Sequence, residues 1–140
     1  MRFMMLMIPL CYETAPPDVQ LDPERVKAMM KYNEALQEAG VLIALDGLHP
    51  TVKGARVKYG SGKGSVSRGP FALSGDLVAG FWLINTKSLD EAIEWMQRAP
   101  FGNGDEIEIR QVFAAEDFGE ALTPDLREQE QRLRTQAAKR

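Results

Sequence analysis

Residues 3–8 read FMMLMI, six apolar side chains in a row. A strand with one solvated face alternates apolar and polar side chains, because successive side chains point to opposite faces of the sheet. This stretch does not alternate, and neither do residues 41–45 (VLIAL) or residues 77–84 (LVAGFWLI). All three stretches therefore predict strands that are covered on both faces.

Two helical patterns separate these stretches. Residues 22–24 (DPE) supply an N-cap, a proline at the first helical position and an acid in the first turn, which predicts an amphipathic helix over residues 23–39. Residues 88–91 (SLDE) form a capping box that opens a second helix, and Pro100 ends it.

Two further stretches complete the order of elements. Residues 106–112 (EIEIRQV) alternate and predict a fourth main strand. Residues 60–63 (GSGK), flanked by residues 55–59 and 64–67, predict a short hairpin. The order strand, helix, strand, hairpin, strand, helix, strand predicts an α+β fold. This is a ferredoxin-like βαββαβ arrangement with an inserted hairpin, in which one antiparallel sheet carries both helices on one face.

The second face of that sheet needs a cover of its own. Two helices cover one face, and an exposed sheet face this apolar would exceed the patches usual on soluble monomers. The simplest cover is the same face of another copy, so the pattern predicts a two-fold homodimer. A cleft for a small organic ligand is then expected between helix, sheet and hairpin loops.

Length and charge bound the domain organisation and the partners. The 140 residues predict one main domain over residues 1–114, followed by a charged helical extension over residues 115–140 whose main apolar anchors are Leu126 and Leu133. The 17 basic and 20 acidic residues give a net charge of −3, which argues against a nucleic-acid partner.

Single copies of two residue types limit the chemistry. One cysteine, Cys11, excludes a disulfide framework within the chain, and one histidine, His49, excludes a multi-histidine metal site. We therefore expect no metal and no nucleotide cofactor. No apolar stretch approaches the roughly 20 residues of a membrane span and no signal-peptide cleavage site is evident, so we expect a cytoplasmic protein in which Cys11 is a packed thiol.

The candidate acid/base group follows the second apolar stretch. Residues 46–50 read DGLHP, and a carboxylate three residues from an imidazole suggests that Asp46 orients His49 as a general base. In an extended segment the two side chains point to opposite sides, so their direct pairing needs a turn at Gly47. The alternative is a loop histidine that bonds to a backbone carbonyl.

A Gly-Pro turn directs the side chain that follows it. Gly69-Pro70 fixes the backbone before Phe71, and this ring could wall a ligand cleft together with Tyr12, Phe81 and Trp82. Arg68 would then meet an anionic group of the ligand. The alternative is that the aromatic side chains pack in the core.

Several blocks together resemble the YCII-related proteins, and more narrowly their DGPF-domain branch. The resemblance covers about residues 1–113, and the blocks that carry it are FMMLMI at 3–8, EAGVLIALDGLHP at 38–50, RGPFA at 68–72, GFWLINTKSLDEAIEWM at 80–96 and IEIRQV at 107–112. It implies a ferredoxin-like fold that forms a dimeric α/β barrel. Some members of the family act on small aromatic compounds.

The chain also departs from the family pattern. The Asp-Gly-Pro-Phe sequence is here Arg68-Gly69-Pro70-Phe71, so a basic residue stands where the branch has an acid. A histidine that some members carry on the first helix corresponds to Met29, so the catalytic pair proposed for them does not carry over.

Two functions follow from these patterns. The first is a small cytoplasmic homodimer that binds a small organic ligand near His49, with acid/base catalysis left open and with Asp46 or Arg68 orienting the substrate. The alternative is a non-catalytic structural or regulatory module that contacts another protein through residues 125–140.

Overall fold

The computed structural model describes residues 1–10, 12, 16, 18, 20–71 and 77–139. Its elements are, in chain order, β1 (Arg2–Ile8), α1 (Pro23–Glu38), β2 (Leu42–Gly47), β3 (Ala55–Lys58), β4 (Ser65–Arg68), β5 (Gly80–Asn85), α2 (Leu89–Gln97), β6 (Glu106–Gln111) and α3 (Pro124–Ala137). Short 3₁₀ segments cover Thr51–Lys53 and Ala115–Ala121. Cys11, for which we predict packing, lies outside the described residues.

Four strands form the main sheet in the order β2-β5-β1-β6, and every neighbouring pair is antiparallel. Strands β3 and β4 pair with each other as a separate hairpin inserted between β2 and β5. The predicted α+β, ferredoxin-like order is therefore confirmed. The largest boundary difference is at β5, which begins at Gly80, because the apolar residues 77–79 before it are irregular.

The two main helices begin where the sequence predicts. The Asp22 carboxylate accepts the backbone N–H of Glu24 at 3.0 Å, and the Ser88 hydroxyl accepts the N–H of Glu91 at 3.1 Å. Gly40 follows α1 with φ of +70°, the left-handed conformation that lets the chain turn back toward β2.

One face of the main sheet lies under these helices and forms the core. Phe3 pairs with Ile84 and Met5 pairs with Trp82, which places all four side chains on that face. The buried apolar residues of the core are Phe3, Met5, Tyr32, Leu36, Val41, Trp82, Ile84, Ala92 and Met96.

The opposite face, which we call the open face, is apolar at its centre. Met4 pairs with Leu83 and Leu6 pairs with Phe81, and these four side chains are only partly buried. Ile43 at the β2 edge is exposed. The helices thus account for one of the two covers that the sequence pattern requires.

The C-terminal helix contributes little to the core. No residue of α3 is buried, and both of its leucines, Leu126 and Leu133, are exposed. The Thr123 hydroxyl caps its first turn through the N–H of Leu126 at 3.4 Å. Local capping and an ion pair between Arg134 and Glu130, four residues apart, accompany this helix in place of tertiary packing.

Candidate functional site

Three strands meet at one end of the main sheet, which we call the Ile8 end. Strands β1 and β2 finish there and β5 begins there. Two backbone hydrogen bonds extend the sheet beyond its last pairs: Ala79 N–H donates to the Met7 carbonyl, and Leu48 N–H donates to the Ala79 carbonyl, both at 2.8 Å. The backbone leading to His49 is therefore held by the sheet.

The close approach of β5 to β2 at this end depends on Gly80. A Cβ atom on Gly80 would lie 2.9 Å from the carbonyl oxygen of Asp46 and 3.0 Å from the terminal methyl of Met7. Backbone cannot yield at such a distance, so a residue without a side chain is required there.

Tyr12 is held against the residue that precedes His49. Its hydroxyl donates a hydrogen bond to the Leu48 carbonyl, and the side chain is partly buried. Burial raises the pKa of Tyr12 above its usual value of 10.0, so the phenol stays protonated and remains a donor at neutral pH. The chain after β1 and the chain after β2 are thereby tied together.

His49 and Asp46 are both exposed at this end, and Pro50 directly after the histidine is buried. Asp46 pairs with Phe81, so its side chain lies on the open face. Among the described residues, no hydrogen bond joins Asp46 to His49. The suggested orientation of His49 by Asp46 therefore stays a hypothesis about the liganded protein.

The base of the β3–β4 hairpin packs beside the same loop. Gly69 N–H donates to the Gly54 carbonyl at 2.9 Å. A Cβ atom on Gly69 would lie 1.6 Å from the carbonyl oxygen of Thr51, two residues after His49. Only glycine permits this contact, which places the start of the predicted Phe71 turn against the histidine loop.

Phe71 is partly buried and carries a cation on its ring. The Arg56 guanidinium lies 4.2 Å from the centre of the Phe71 ring, a cation–π distance. Arg68 is exposed and pairs with Ala55, so it lies on the opposite face of the hairpin from Arg56. Sequence reasoning missed Arg56, because its contact depends on how the hairpin base folds back and not on any local pattern.

Trp82 is the one predicted site residue that lies elsewhere. It is 1% exposed on the helix-covered face, where its Nε1–H donates to the Oδ1 of Asn33 at 2.8 Å. Tyr32 and Phe101 pack edge-on against it, with ring centres 5.5 and 5.9 Å away. This corrects its predicted place in the cleft wall, because a side chain enclosed in this way offers a ligand no surface.

Neither a metal-binding cluster nor a membrane-spanning helix occurs among the described residues. No group of three or more His, Cys, Asp or Glu side chains within this part of the chain is arranged to hold a metal ion. No helix in the same residues combines the length and apolar character needed to cross a membrane.

Comparisons with known proteins identify relatives of the chain. The model of the YCII-related domain matches residues 1–116, which confirms the family resemblance. An uncharacterized protein of Rhizobium meliloti (strain 1021) is 34% identical over 95 residues, which cover 65% of this chain and 77% of that protein. The solved structure of a 5-chloro-2-hydroxyhydroquinone dehydrochlorinase from Burkholderia phenoliruptrix AC1100, in complex with 2,5-dihydroxybenzoquinone, aligns with a TM-score of 0.41 and 15% identity over 83% of this chain and 98% of that one.

Proposed function

Because the chain belongs to the YCII-related family, we propose that it works as a cytoplasmic homodimer that binds a small organic molecule beside His49. The observation that carries this proposal is the hydrogen bond from the Tyr12 hydroxyl to the Leu48 carbonyl. It fixes the backbone next to His49 from a second chain segment while the imidazole stays exposed. A proton-exchanging group on a held backbone at a sheet end is typical of a binding or active site.

The surroundings of His49 support a ligand with both apolar and polar parts. Small-molecule sites combine aromatic side chains with a few placed polar groups. Phe71 and Tyr12 supply the aromatic surface, and Arg68 and Asp46 supply opposite charges that are exposed to solvent. Trp82 is left out of the proposed site because the core encloses it.

The open face supports the homodimer. Its apolar centre consists of partly buried side chains of β1 and β5. Packing this face against the same face of another copy removes it from water, and a self-complementary contact of this kind has two-fold symmetry.

Acid/base chemistry is the finer part of the proposal. His49 carries the imidazole beside the proposed site, so it is the group that would take a proton from the ligand and return it. Arg68 would stabilise negative charge that develops on the ligand, and Asp46 would orient either the ligand or the imidazole.

A thermal-shift screen of small organic molecules, with and without His49→Ala, tests the proposal. A ligand that binds only the folded state raises the melting temperature of the unmodified chain, by an amount that corresponds to about 2.7 kcal/mol at a hundred times its Kd. We expect His49→Ala to remove most of this rise and Gln37→Ala, an exposed change on α1, to preserve it. Equal stabilisation of His49→Ala would exclude His49 from the site.

The exposed helix α3 favours a second candidate, in which the chain is a non-catalytic module that contacts another protein. Leu126 and Leu133 are seven residues apart, so they lie on one side of the helix, and both are exposed. Deleting residues 124–140 separates the two candidates. The ligand-induced rise in melting temperature survives the deletion if the site beside His49 is the functional one.

A further inference from the structure

Two exposed segments of the chain carry opposite charge. Residues 53–68, which contain the β3–β4 hairpin, hold five basic residues and no acidic one: Lys53, Arg56, Lys58, Lys63 and Arg68. Residues 113–125, which we call the acidic segment, hold four acidic residues and no basic one: Glu116, Asp117, Glu120 and Asp125. The net charge of the whole chain is only −3, whereas each of these segments carries charges of one sign.

Both segments also expose apolar side chains. Val57 and Val66 are cross-strand partners on one face of the hairpin, and Val66 is 61% exposed. In the acidic segment, Phe113 is 63% exposed, and its ring centre lies 5.2 Å from that of the exposed Phe118. A two-stranded hairpin is marginal in water by itself, so a surface that covers its apolar face would stabilise it.

Within one chain, the two segments lie at opposite ends of the main sheet. The hairpin is entered from β2 and left toward β5 at the Ile8 end. The acidic segment follows β6 at the other end, where the Arg2 guanidinium donates to the Phe113 carbonyl at 3.1 Å. Strand β1 has seven residues, which at about 3.3 Å each separate the two ends by about 20 Å.

We propose that the hairpin of one copy docks on the acidic segment of a second copy of this chain. This inference rests on the homodimer proposed above and specifies how its two subunits are oriented. The hairpin lies at the β2–β5 side of the sheet, and the acidic segment follows the opposite edge strand, β6. A two-fold axis that lies between the open faces, perpendicular to the line joining these two segments, brings the hairpin of each copy to the acidic segment of its partner and makes the contact twice.

The charges distinguish this orientation from the two-fold arrangement in which like segments meet. An axis that runs along the line joining the two segments would place hairpin beside hairpin and acidic segment beside acidic segment, and like charges at an interface are repulsive. In the perpendicular arrangement each basic segment meets an acidic one. Because the hairpin base carries Arg68 and Phe71, the partner subunit would also fix one side of the site beside His49.

Charge reversal on either side tests the contact. The hairpin variant is Lys58→Glu with Lys63→Glu, and the acidic-segment variant is Glu116→Lys with Glu120→Lys; all four side chains are exposed. The hairpin variant lowers the net charge of residues 53–68 from +5 to +1, and the acidic-segment variant brings that of residues 113–125 from −4 to 0. We expect each variant alone to raise the dimer Kd about tenfold or more in sedimentation velocity at low salt, because both contacts lose their electrostatic attraction.

Mixing the two variants distinguishes contacts between copies from contacts within one chain. In a mixed dimer one contact is native, and in the other the introduced glutamates face the introduced lysines. Native mass spectrometry of the mixture should therefore show the heterodimer clearly above the proportion that random pairing gives. A contact within one chain cannot be repaired by mixing. The control is Lys27→Glu with Lys31→Glu, which makes the same change in net charge on the exposed side of α1 and should leave the dimer Kd unchanged.

The possible results separate this inference from the proposal it rests on. If the unmodified chain is a dimer but the variants keep its Kd, or their mixture shows no preference for the heterodimer, the hairpin contact is wrong and the homodimer stands. If the unmodified chain is a monomer at every concentration, the homodimer and the hairpin contact both fall. A hairpin variant that loses only the binding of another protein also overturns the contact between copies.

Discussion

The two faces of the main sheet are built from the same strands, and in the central strands β1 and β5 both faces are apolar, yet they differ in burial. Trp82 and its neighbour Phe81 show the difference directly: Trp82 is enclosed under the helices, and Phe81 on the open face is only partly buried. The side chains of β1 and β5 therefore do not decide which face becomes the core. The helices decide it, because the buried side chains of α1 and α2 pack on one side only, and β6 places its isoleucines on that side and Glu108 and Arg110 on the other.

Truncating Trp82, the enclosed member of the pair Trp82 and Phe81, should lower the free energy of unfolding more than any other substitution proposed for this chain. Trp82→Ala removes a fully packed indole and its hydrogen bond to Asn33, and we expect a loss of about 3–5 kcal/mol in the free energy of unfolding, measured in urea. Phe81→Ala is the matched control on the open face. It should cost clearly less in a dilute sample and should instead raise the dimer Kd; equal losses in a monomeric sample would contradict the comparison.

The pH dependence of stability tests the burial of Tyr32 in the helix layer. Burial raises the pKa of Tyr32 to about 12, an effect that the positive charge of Arg98 partly offsets, and its hydroxyl donates to the Trp95 carbonyl at 2.5 Å. The fold favours the neutral phenol, so this contribution to stability is complete below the unfolded pKa of 10.0 and is lost as pH rises from there toward 12.

Unfolding in urea between pH 9 and pH 11.5 covers the start of this change. The free energy of unfolding should fall as pH rises, and the full change is about 2–3 kcal/mol. Tyr32→Phe should flatten that slope, and Tyr59→Phe, which alters an exposed phenol in the hairpin loop, should not. A slope that survives in Tyr32→Phe would assign it to another group.

The smallest expected effect compares two helix caps. Ser88 caps α2, which packs on the sheet, and Thr123 caps α3, which has no buried residue. Ser88→Ala should lower the free energy of unfolding by about 1 kcal/mol. Thr123→Ala should reduce helical circular dichroism slightly and leave the unfolding midpoint unchanged; a shifted midpoint would show that α3 is coupled to the fold.

Sequence patterns predict most of this fold because its local determinants are strong. The caps at Asp22 and Ser88 place both helix starts, and the lack of alternation in β1 and β5 predicts a sheet that needs two covers. The start of β5 was placed too early because the apolar residues 77–79 resemble the strand that follows them.

The site is less predictable for a physical reason. In a strand that is apolar on both sides, alternation carries no information about which face meets the helices, so the sequence could not separate Trp82 from Phe81. The position of Arg56 over Phe71 depends on the hairpin base, which is a tertiary feature. His49 was identified because it follows a predicted strand end, whereas its link to Tyr12 required the structure.

Gly69 is the position at which the β3–β4 hairpin joins the rest of the protein. At this junction Gly69 contacts the Thr51 carbonyl, and the hairpin strands β3 and β4 beyond it are exposed. A hairpin of another length or charge could therefore replace the residues beyond this junction without moving the His49 imidazole. A side chain at Gly69 itself would clash with the Thr51 carbonyl and would displace the hairpin and the His49 loop together.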